Sequence, residues 1–558
     1  MHKQLLAVLS ALACVPALPG SQQQLVDPGL QFEELVAGLD EPTTMAFIGP
    51  DDLLILQKKD GRVLRVLDGQ MQGAVLDVAV KYEAERGMLG IATDPDFVNS
   101  GHVYLFYTES ATGTDVNDGS DPLGHRLYRY TWNGAALVDP SLVAELPIGF
   151  GVHSGGILTF GPDDKLYLIV GDLSHGNVDY LAGRLQNNAD GEVANDAGVI
   201  FRFNVDGTAP RDNPFYDAAD PGNPWERYFA YGIRNSFGMA FDPRTGNLWE
   251  TENGPTSYDE INRAAPGMNG GHFRIWGPEA SDAEGQSDLW VQPGSAYSDP
   301  EFSWLLPPAL TSVAFVESRK LGCDREHDLL VGAYGCRAIY HFELDAQRES
   351  LVFASSELQD LVADNSTVAC EQEQAEILFA SGPQWNSDST TDIKNGPDGL
   401  IYLLSYSHGT LRRIVPVPGA VPDTDADQVA DACDCDAADP TAYAPTIEVP
   451  RIRVSGKSVT RLGWSAQSGS AGSGVSYDVV SGTLSRLHAD HGFSGACTLA
   501  SILASTATAD PRAVPAGDGY YYLARAGNAC GAGTFGEGWG VPDPRDAIDA
   551  ALPTPCPD

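Results

Sequence analysis

The chain has 558 residues, with 34 Lys and Arg against 76 Asp and Glu and a formal charge of −42. Phosphate binding and docking on anionic membranes need clustered Lys and Arg, so this charge argues against nucleic acid and acidic lipid as partners. With 43% hydrophobic and 20% charged residues the chain has material for a real core, which excludes wholesale disorder; its acidity suits solubility, export or calcium sites.

In chain order, His2 and Lys3 precede an apolar run over residues 5–17, and Val15-Pro16-Ala17 offers small residues for cleavage. Residues 1–20 read as a secretory signal, so the expected location is secreted or periplasmic. The run is too short for an ordinary membrane-spanning helix, and no later stretch is long and apolar enough. A turn rich in Pro, Asp and Gly then recurs before an apolar strand. Gly49-Pro50-Asp51-Asp52 precedes residues 53–56, and Asp94-Pro95-Asp96 precedes 103–107. Gly161-Pro162-Asp163-Asp164 precedes 166–170, and Asp242-Pro243 precedes 248–251. Glu326-His327-Asp328 before 329–331 is weaker, and Gly396-Pro397-Asp398-Gly399 before 400–404 is clear. Many short strands at a long repeat, with no long helical period, predict an all-β chain. The six instances predict a six-bladed β-propeller over residues 30–415, at about 60 residues per blade. Two stacked β-sandwiches are the alternative.

Residues 416–445 read as a linker with an acidic stretch. Asp423, Asp425, Asp427 and Asp431 lie at near-alternate positions, from which carboxylates converge on a hard cation. This resembles a thrombospondin type 3-like calcium repeat, with Gln428 where Gly is usual. Residues 446–558 alternate apolar and polar, with Trp464 early and Tyr520-Tyr521-Tyr522 late. They resemble a fibronectin type III-like β-sandwich, expected as an accessory module that contacts a surface or glycan. Eight cysteines follow Cys14, an even number that favours disulfides in an exported chain. Connectivity is open; Cys497 with Cys530, within one small module, is the preferred pair.

Three segments are candidates for chemistry. His153 lies among Gly151, Gly155 and Gly156, where tight backbone leaves room for a ligand and a neutral imidazole can act as a base. Arg234 and Asn235 stand where one strand run ends and the next begins, and an Arg there can stabilise developing negative charge. Gly254 and Pro255, followed by Asp259 and Glu260, combine turn carbonyls and carboxylates, the oxygen ligands that calcium takes.

These segments, together with residues 85–97 and Asn204–Gly207 with Asp212–Phe215, resemble the glucose/sorbosone dehydrogenase family in order along residues 35–415. The resemblance implies a six-bladed propeller carrying PQQ on its axis and Ca2+ beside it. It implies that His153 takes the proton from a sugar's anomeric hydroxyl while hydride passes to PQQ. Arg234 would stabilise the reduced quinone, Asn235 and Glu85 would contact the cofactor, and the carbonyls of Gly254 and Pro255 would hold the metal. Electrons would leave to an external acceptor. The chain departs from the family where Phe237 replaces a Gln, Ile157 an Arg, and Gly335 a Lys. Arg337, two residues on, is expected to face the same side and contact the cofactor. Late Arg positions match Ser389 and Thr391, with Lys394 the nearby cation. The readings carried forward are a PQQ aldose dehydrogenase, a cofactor-less propeller that binds a glycan or protein, and a calcium-dependent hydrolase. His153, Arg234 and Asn235 together favour the first.

Overall fold

The computed structural model describes residues 23–173, 183–382, 389–449, 451–456, 459–536 and 543–557. The expected secretory signal lies outside them. Residues 24–416 form six sheets, each built on four antiparallel strands, with short parallel additions in two of them. Blade 1 is Pro42–Gly49, Asp52–Gln57, Arg62–Leu67 and Gln70–Asp77. Blade 2 runs from Met88–Thr93 to Leu137–Leu146, blade 3 from Leu158–Phe160 to Tyr228–Tyr231, and blade 4 from Ser236–Phe241 to Phe302–Trp304. Blade 5 runs from Leu310–Phe315 to Leu378–Ser381. Blade 6 takes Thr390–Asn395, Ile401–Ser405 and Thr410–Pro416 from the end of the propeller and Leu30–Ala37 from its start. That last pairing ties the ring shut with main-chain hydrogen bonds.

The second strand of every blade is the one that the turn repeat marks. It is packed on both faces by neighbouring blades, so Leu166–Val170, Leu329–Ala333 and Ile401–Ser405 are buried at every position. A strand buried on both faces is a continuous apolar run. An outer strand such as Leu137–Leu146 is largely exposed and carries no such signal. Between blades the core is aromatic. Trp249, Phe302, Trp304 and Phe342 share one cluster, with Phe302 and Trp304 ring centroids 4.8 Å apart. Burying each such side chain contributes on the order of 1.5–3 kcal/mol.

The C-terminal residues form two sheets, Arg453–Ser455, Thr460–Gly463 and Ala507–Asp510 against Cys497–Leu503, Ser476–Thr483, Tyr520–Asn528 and Gly531–Ala532. They enclose a core containing Leu462, Trp464, Tyr477 and Ala526, and a smaller cluster gathers Val480, Phe535 and Ile548. Val429 and Tyr443, read from sequence as linker, belong to that core. The module rests on the turns between first and second strands. Arg453 Nε donates to Asp164 Oδ1 at 2.9 Å, Arg451 to the Pro162 carbonyl at 2.7 Å, and Cys323 is bonded to Cys433. No helix among the described residues is long and apolar enough to cross a membrane.

The preferred pairing of Cys497 with Cys530 is wrong. Cys497 bonds Cys556, Cys530 bonds Cys435, and the remaining bridge is Cys336–Cys370. Cys497 begins one edge strand of the four-stranded sheet, and Cys530 sits at the turn into the other edge strand. Three strand spacings of about 4.8 Å separate those edges, well beyond the roughly 7 Å between Cα atoms that a disulfide spans.

Candidate active site

The first strands of all six blades start at one end of the propeller axis, and there they surround a cavity of about 530 Å³. Thr43 and Lys58 come from blade 1, Leu89 from blade 2, His153 and Ile157 from the entry to blade 3, and Asn235 and Phe237 from blade 4. Thr311 and Tyr334 come from blade 5, Thr391 and Tyr406 from blade 6. The Pro-Asp turns, with the C-terminal module on them, lie at the other end of the same strands.

His153 adopts a left-handed conformation (φ 54°) and its backbone N–H donates to Glu85 Oε2 at 2.6 Å. Its Nδ1 lies 2.6 Å from Asp172 Oδ1. Asp172 follows the second strand of blade 3, and its backbone N–H donates to the carbonyl of Arg234 at 2.8 Å. Only glycine fits at position 171: a Cβ there would lie 2.4 Å from the His153 carbonyl oxygen and 2.5 Å from that of Arg234. The loops carrying His153 and Arg234 are thus clamped on the two sides of one strand end.

The other Asp172 oxygen lies 2.9 Å from His272 Nε2, and Trp276 Nε1 donates to His272 Nδ1 at 3.2 Å. An indole N–H only donates, so His272 Nδ1 is an acceptor and its Nε2 carries the proton given to Asp172. Burial keeps this imidazole neutral, lowering its pKa against the pull of Asp172, with Arg234 and His153 adding to the lowering. For Asp172, burial by itself would raise the pKa; the hydrogen bonds from His153 and His272 outweigh it and hold the carboxyl below the usual range. An ionised Asp172 fixes the proton of a neutral His153 on Nδ1 and leaves Nε2 as the basic atom. His153 lines the cavity.

The Arg234 guanidinium donates to the carbonyls of Asn253 (2.6 Å) and Gly254 (3.0 Å), and its backbone N–H to Glu252 Oε1 (2.7 Å). Asn235 Nδ2 reaches Glu85 Oε2 at 3.4 Å, while its Oδ1 is buried with no partner among the described residues. Asp259 lines the cavity, but its oxygens accept the backbone N–H groups of Gly254, Ala309 and Leu310. It shapes the carbonyl loop from below, and burial pushes it up to about 7 against those hydrogen bonds. Gly254 is required: a Cβ would lie 2.1 Å from the Ser257 carbonyl oxygen.

Three of the expected residues lie off the cavity wall. Glu260 is not on the cavity wall; it accepts from Gly277 N at 2.6 Å and Asn262 Nδ2 at 3.3 Å beside Glu250, in a buried acidic group behind the wall. Pro255 lies outside the lining residues, next to Gly254, which is one of them. Arg337 is not a cavity residue either. The strand ends at Ala333, the chain turns through the Cys336–Cys370 bridge, and Arg337 takes φ 52°, so the period of two is lost and Tyr334 faces the cavity instead. Lys394 lies 3.6 Å from Asp392 and is likewise outside the wall, whereas Thr391 is part of it. Asp172, His272, Trp276 and Lys58 carried no motif by which sequence reading could find them.

In the acidic stretch, carboxylate oxygens of Asp423, Asp425 and Asp427 all lie within 4.8 Å of one another. Asp425 Oδ2, Asp427 Oδ2 and Asp434 Oδ2 are buried without partners among the described residues. Burial first, then repulsion from Asp425, Asp434 and Asp423, pushes Asp427 up to about 6. Asp431 does not join them; it accepts from the N–H and hydroxyl of Thr424 and closes the loop. Gln428 takes the left-handed conformation (φ 76°) that Gly would hold without strain.

Residues 39–413 match the model of the glucose/sorbosone dehydrogenase family. The chain belongs to that family. It is 30% identical over 289 residues to quinoprotein glucose dehydrogenase B of Acinetobacter calcoaceticus, covering 49% of this chain and 58% of that protein. It is 26% identical over 434 residues to aldose sugar dehydrogenase YliI of Escherichia coli (strain K12), covering 75% of this chain and all of that protein (100%). In fold it is similar to the apo-form crystal structure of the soluble aldose sugar dehydrogenase from Escherichia coli, at a TM-score of 0.52 and 22% identity over 70% of this chain and 99% of the other. Within the family's scaffold, Phe237 and Ile157 make the cavity wall of this member more apolar than the resemblance implies.

Proposed function

We propose that this family member is an exported, calcium- and PQQ-dependent aldose dehydrogenase that oxidises a sugar at its anomeric carbon to the lactone and passes electrons to an external acceptor. The observation that carries the reading is the Asp172–His153 pair at a cavity on the propeller axis, with Arg234 on the next loop. The residues present fit both groups. The Gly254 carbonyl on the cavity wall, which accepts from the Arg234 guanidinium, would be the hard oxygen offered to calcium, with the Pro255 carbonyl next to it in the chain. Arg234 offers a cationic donor for a flat anionic quinone, and Asn235 Oδ1, buried with no partner among the described residues, offers an acceptor for an N–H or O–H of a bound group. When bound, PQQ supplies the two-electron acceptor for the anomeric hydride, and calcium beside it supplies Lewis acidity.

The chain's own part follows from its hydrogen bonds. His153 Nε2 takes the proton of the anomeric hydroxyl, and the imidazolium that forms is stabilised by Asp172 through Nδ1–H. Arg234 holds positive charge where negative charge develops. The apolar side chains of Leu89, Ile157 and Phe237 exclude water and strengthen these interactions. Tyr334, 43% exposed, packs edge-on against Tyr406 at 5.7 Å, giving the cavity wall an aromatic face for a sugar ring. Four disulfides among the described residues support export to an oxidising compartment. The Asp423–Asp425–Asp427 group is proposed as a second, structural calcium site.

The test is a titration of the purified protein with PQQ in the presence of calcium, followed by absorbance and by dye reduction across a panel of aldoses. Saturable binding with sugar-dependent reduction is the expected result, lost on chelation and restored by calcium. No binding at tens of micromolar PQQ by folded, calcium-loaded protein would overturn the reading in favour of a binding propeller.

His272 gives a sharper prediction. His272→Phe removes one of the two side-chain hydrogen bonds that hold the buried Asp172 carboxyl below the usual range, so that carboxyl is expected to rise toward the ordinary Asp value. The loss of activity and stability on acidification should then set in at higher pH than in wild type, read from kcat/KM and thermal unfolding across pH. An unmoved profile would show that His272 only fills space.

A further inference from the structure

The cavity wall holds a cation that the site described above does not use. Lys58 is 8% exposed, and its Nζ donates to one acceptor, the Tyr82 carbonyl, at a long 3.3 Å. Two of its three N–H donors have no partner among the described residues, and it makes no ion pair there. The neighbouring Glu41 gives Oε1 to Lys59 while its Oε2 is buried with no partner among the described residues and acts on Lys58 through space, and Glu85 accepts from the His153 backbone. A buried ammonium left with spare donors is costly unless an anion completes it.

Its placement is built in. The Lys58 N–H donates to the Glu41 carbonyl, and the Lys58 carbonyl accepts from Met88 N at 3.0 Å. Gly87 makes room for the side chain: a Cβ there would lie 2.9 Å from Lys58 Cγ and 2.3 Å from its carbonyl oxygen. Burial lowers the ammonium's pKa, Glu41 and Glu85 oppose that, and Lys59 adds to it. The group is thus a confined positive charge on the blade 1 wall, in the same cavity as Arg234.

We infer that Lys58 is a carboxylate-binding subsite, and that its occupant is a carboxylate of the ring-fused cofactor proposed above. This rests on the proposed function, and it answers where the cation for a tricarboxylate comes from when Arg337 and Lys394 lie elsewhere. The same chemistry fits the carboxylate of a uronic acid substrate. Lys58 makes a charge-assisted contact to either.

The experiment compares wild type, K58M and K58R, with PQQ and D-glucuronate as separate probes, binding read by equilibrium titration in calcium and folding by thermal unfolding without ligand. K58M removes a buried charge that makes no ion pair among the described residues, so its melting temperature is expected to hold or rise. PQQ affinity falling 10- to 100-fold in K58M and largely recovered in K58R supports the cofactor as occupant. PQQ affinity unchanged with glucuronate binding weakened at least tenfold supports the subsite and assigns it to substrate. Both unchanged in folded K58M overturns the inference. If wild type binds no PQQ, the proposed function fails and glucuronate alone decides: binding lost in K58M upholds a carboxylate subsite, and no binding, or equal binding, overturns it.

Discussion

Replacing His153 by Ala is expected to abolish measurable turnover while the protein still folds and binds its cofactor. General-base catalysis by a positioned imidazole contributes about 10²- to 10⁴-fold, and among the described residues no second base stands ready. Asp172 is turned to the two histidines, Asp259 spends its oxygens on backbone N–H groups, and Glu85 accepts the His153 N–H. The His153 side chain makes no other hydrogen bond among the described residues, and truncation leaves Asp172 with the His272 bond, a loss on the order of 1–3 kcal/mol that still permits folding. The left-handed backbone at this position favours His over Ala, which adds a small cost to the variant. The measurement is dye-linked turnover beside PQQ affinity and thermal unfolding. Wild-type activity in the folded variant would remove His153 from the mechanism.

Asp172→Asn is expected to be nearly as damaging, although it replaces one atom. His272 is locked as a donor from Nε2 by the Trp276 indole. The oxygen of the introduced amide would therefore face His272 and its NH2 would face His153 Nδ1. That forces Nδ1 to accept and moves the proton of His153 to Nε2, the atom that must take the substrate's proton. A wrong tautomer of this kind costs on the order of 10⁴ in kcat in the serine-protease triad, and a similar loss is expected here with KM little changed. The sign of the pH dependence follows from the depressed carboxyl. Its stabilising contribution is present above the ordinary Asp value of about 3.9 and is lost only as pH falls through the lowered one. In the double variant with His272→Phe the amide is free to turn, and part of the activity should return; none returning would mean that the charge of Asp172 matters more than the tautomer.

Much of this molecule is legible in sequence because its information is local. Each second strand lies between two blades, so residues such as 166–170 and 400–404 are unbroken apolar runs, and the chain must reverse just before them, which demands Pro, Asp and Gly. That repeat yields the blade count without any long-range contact. The positions of His153, Arg234 and Gly254 are legible for a similar reason, since each stands in a short motif with glycine fixed by tight backbone.

What the tertiary structure decided is everything that depends on which loops meet across the axis. Asp172 is 19 residues from His153 and 100 from His272 in sequence, and no spacing announces that one carboxylate joins both rings. Lys58 looks like any surface lysine of an exposed turn until blade closure buries it on the cavity wall. Arg337 fails as a cavity residue because a disulfide turn interrupts the strand period, and Cys497 cannot reach Cys530 because two strands lie between their edges. Sequence by itself determined the strands, the blade number and the family. Only closure of the ring, which brings loops from six blades to one axis, decided which charges face one another and therefore which residues can share a proton or hold an anion.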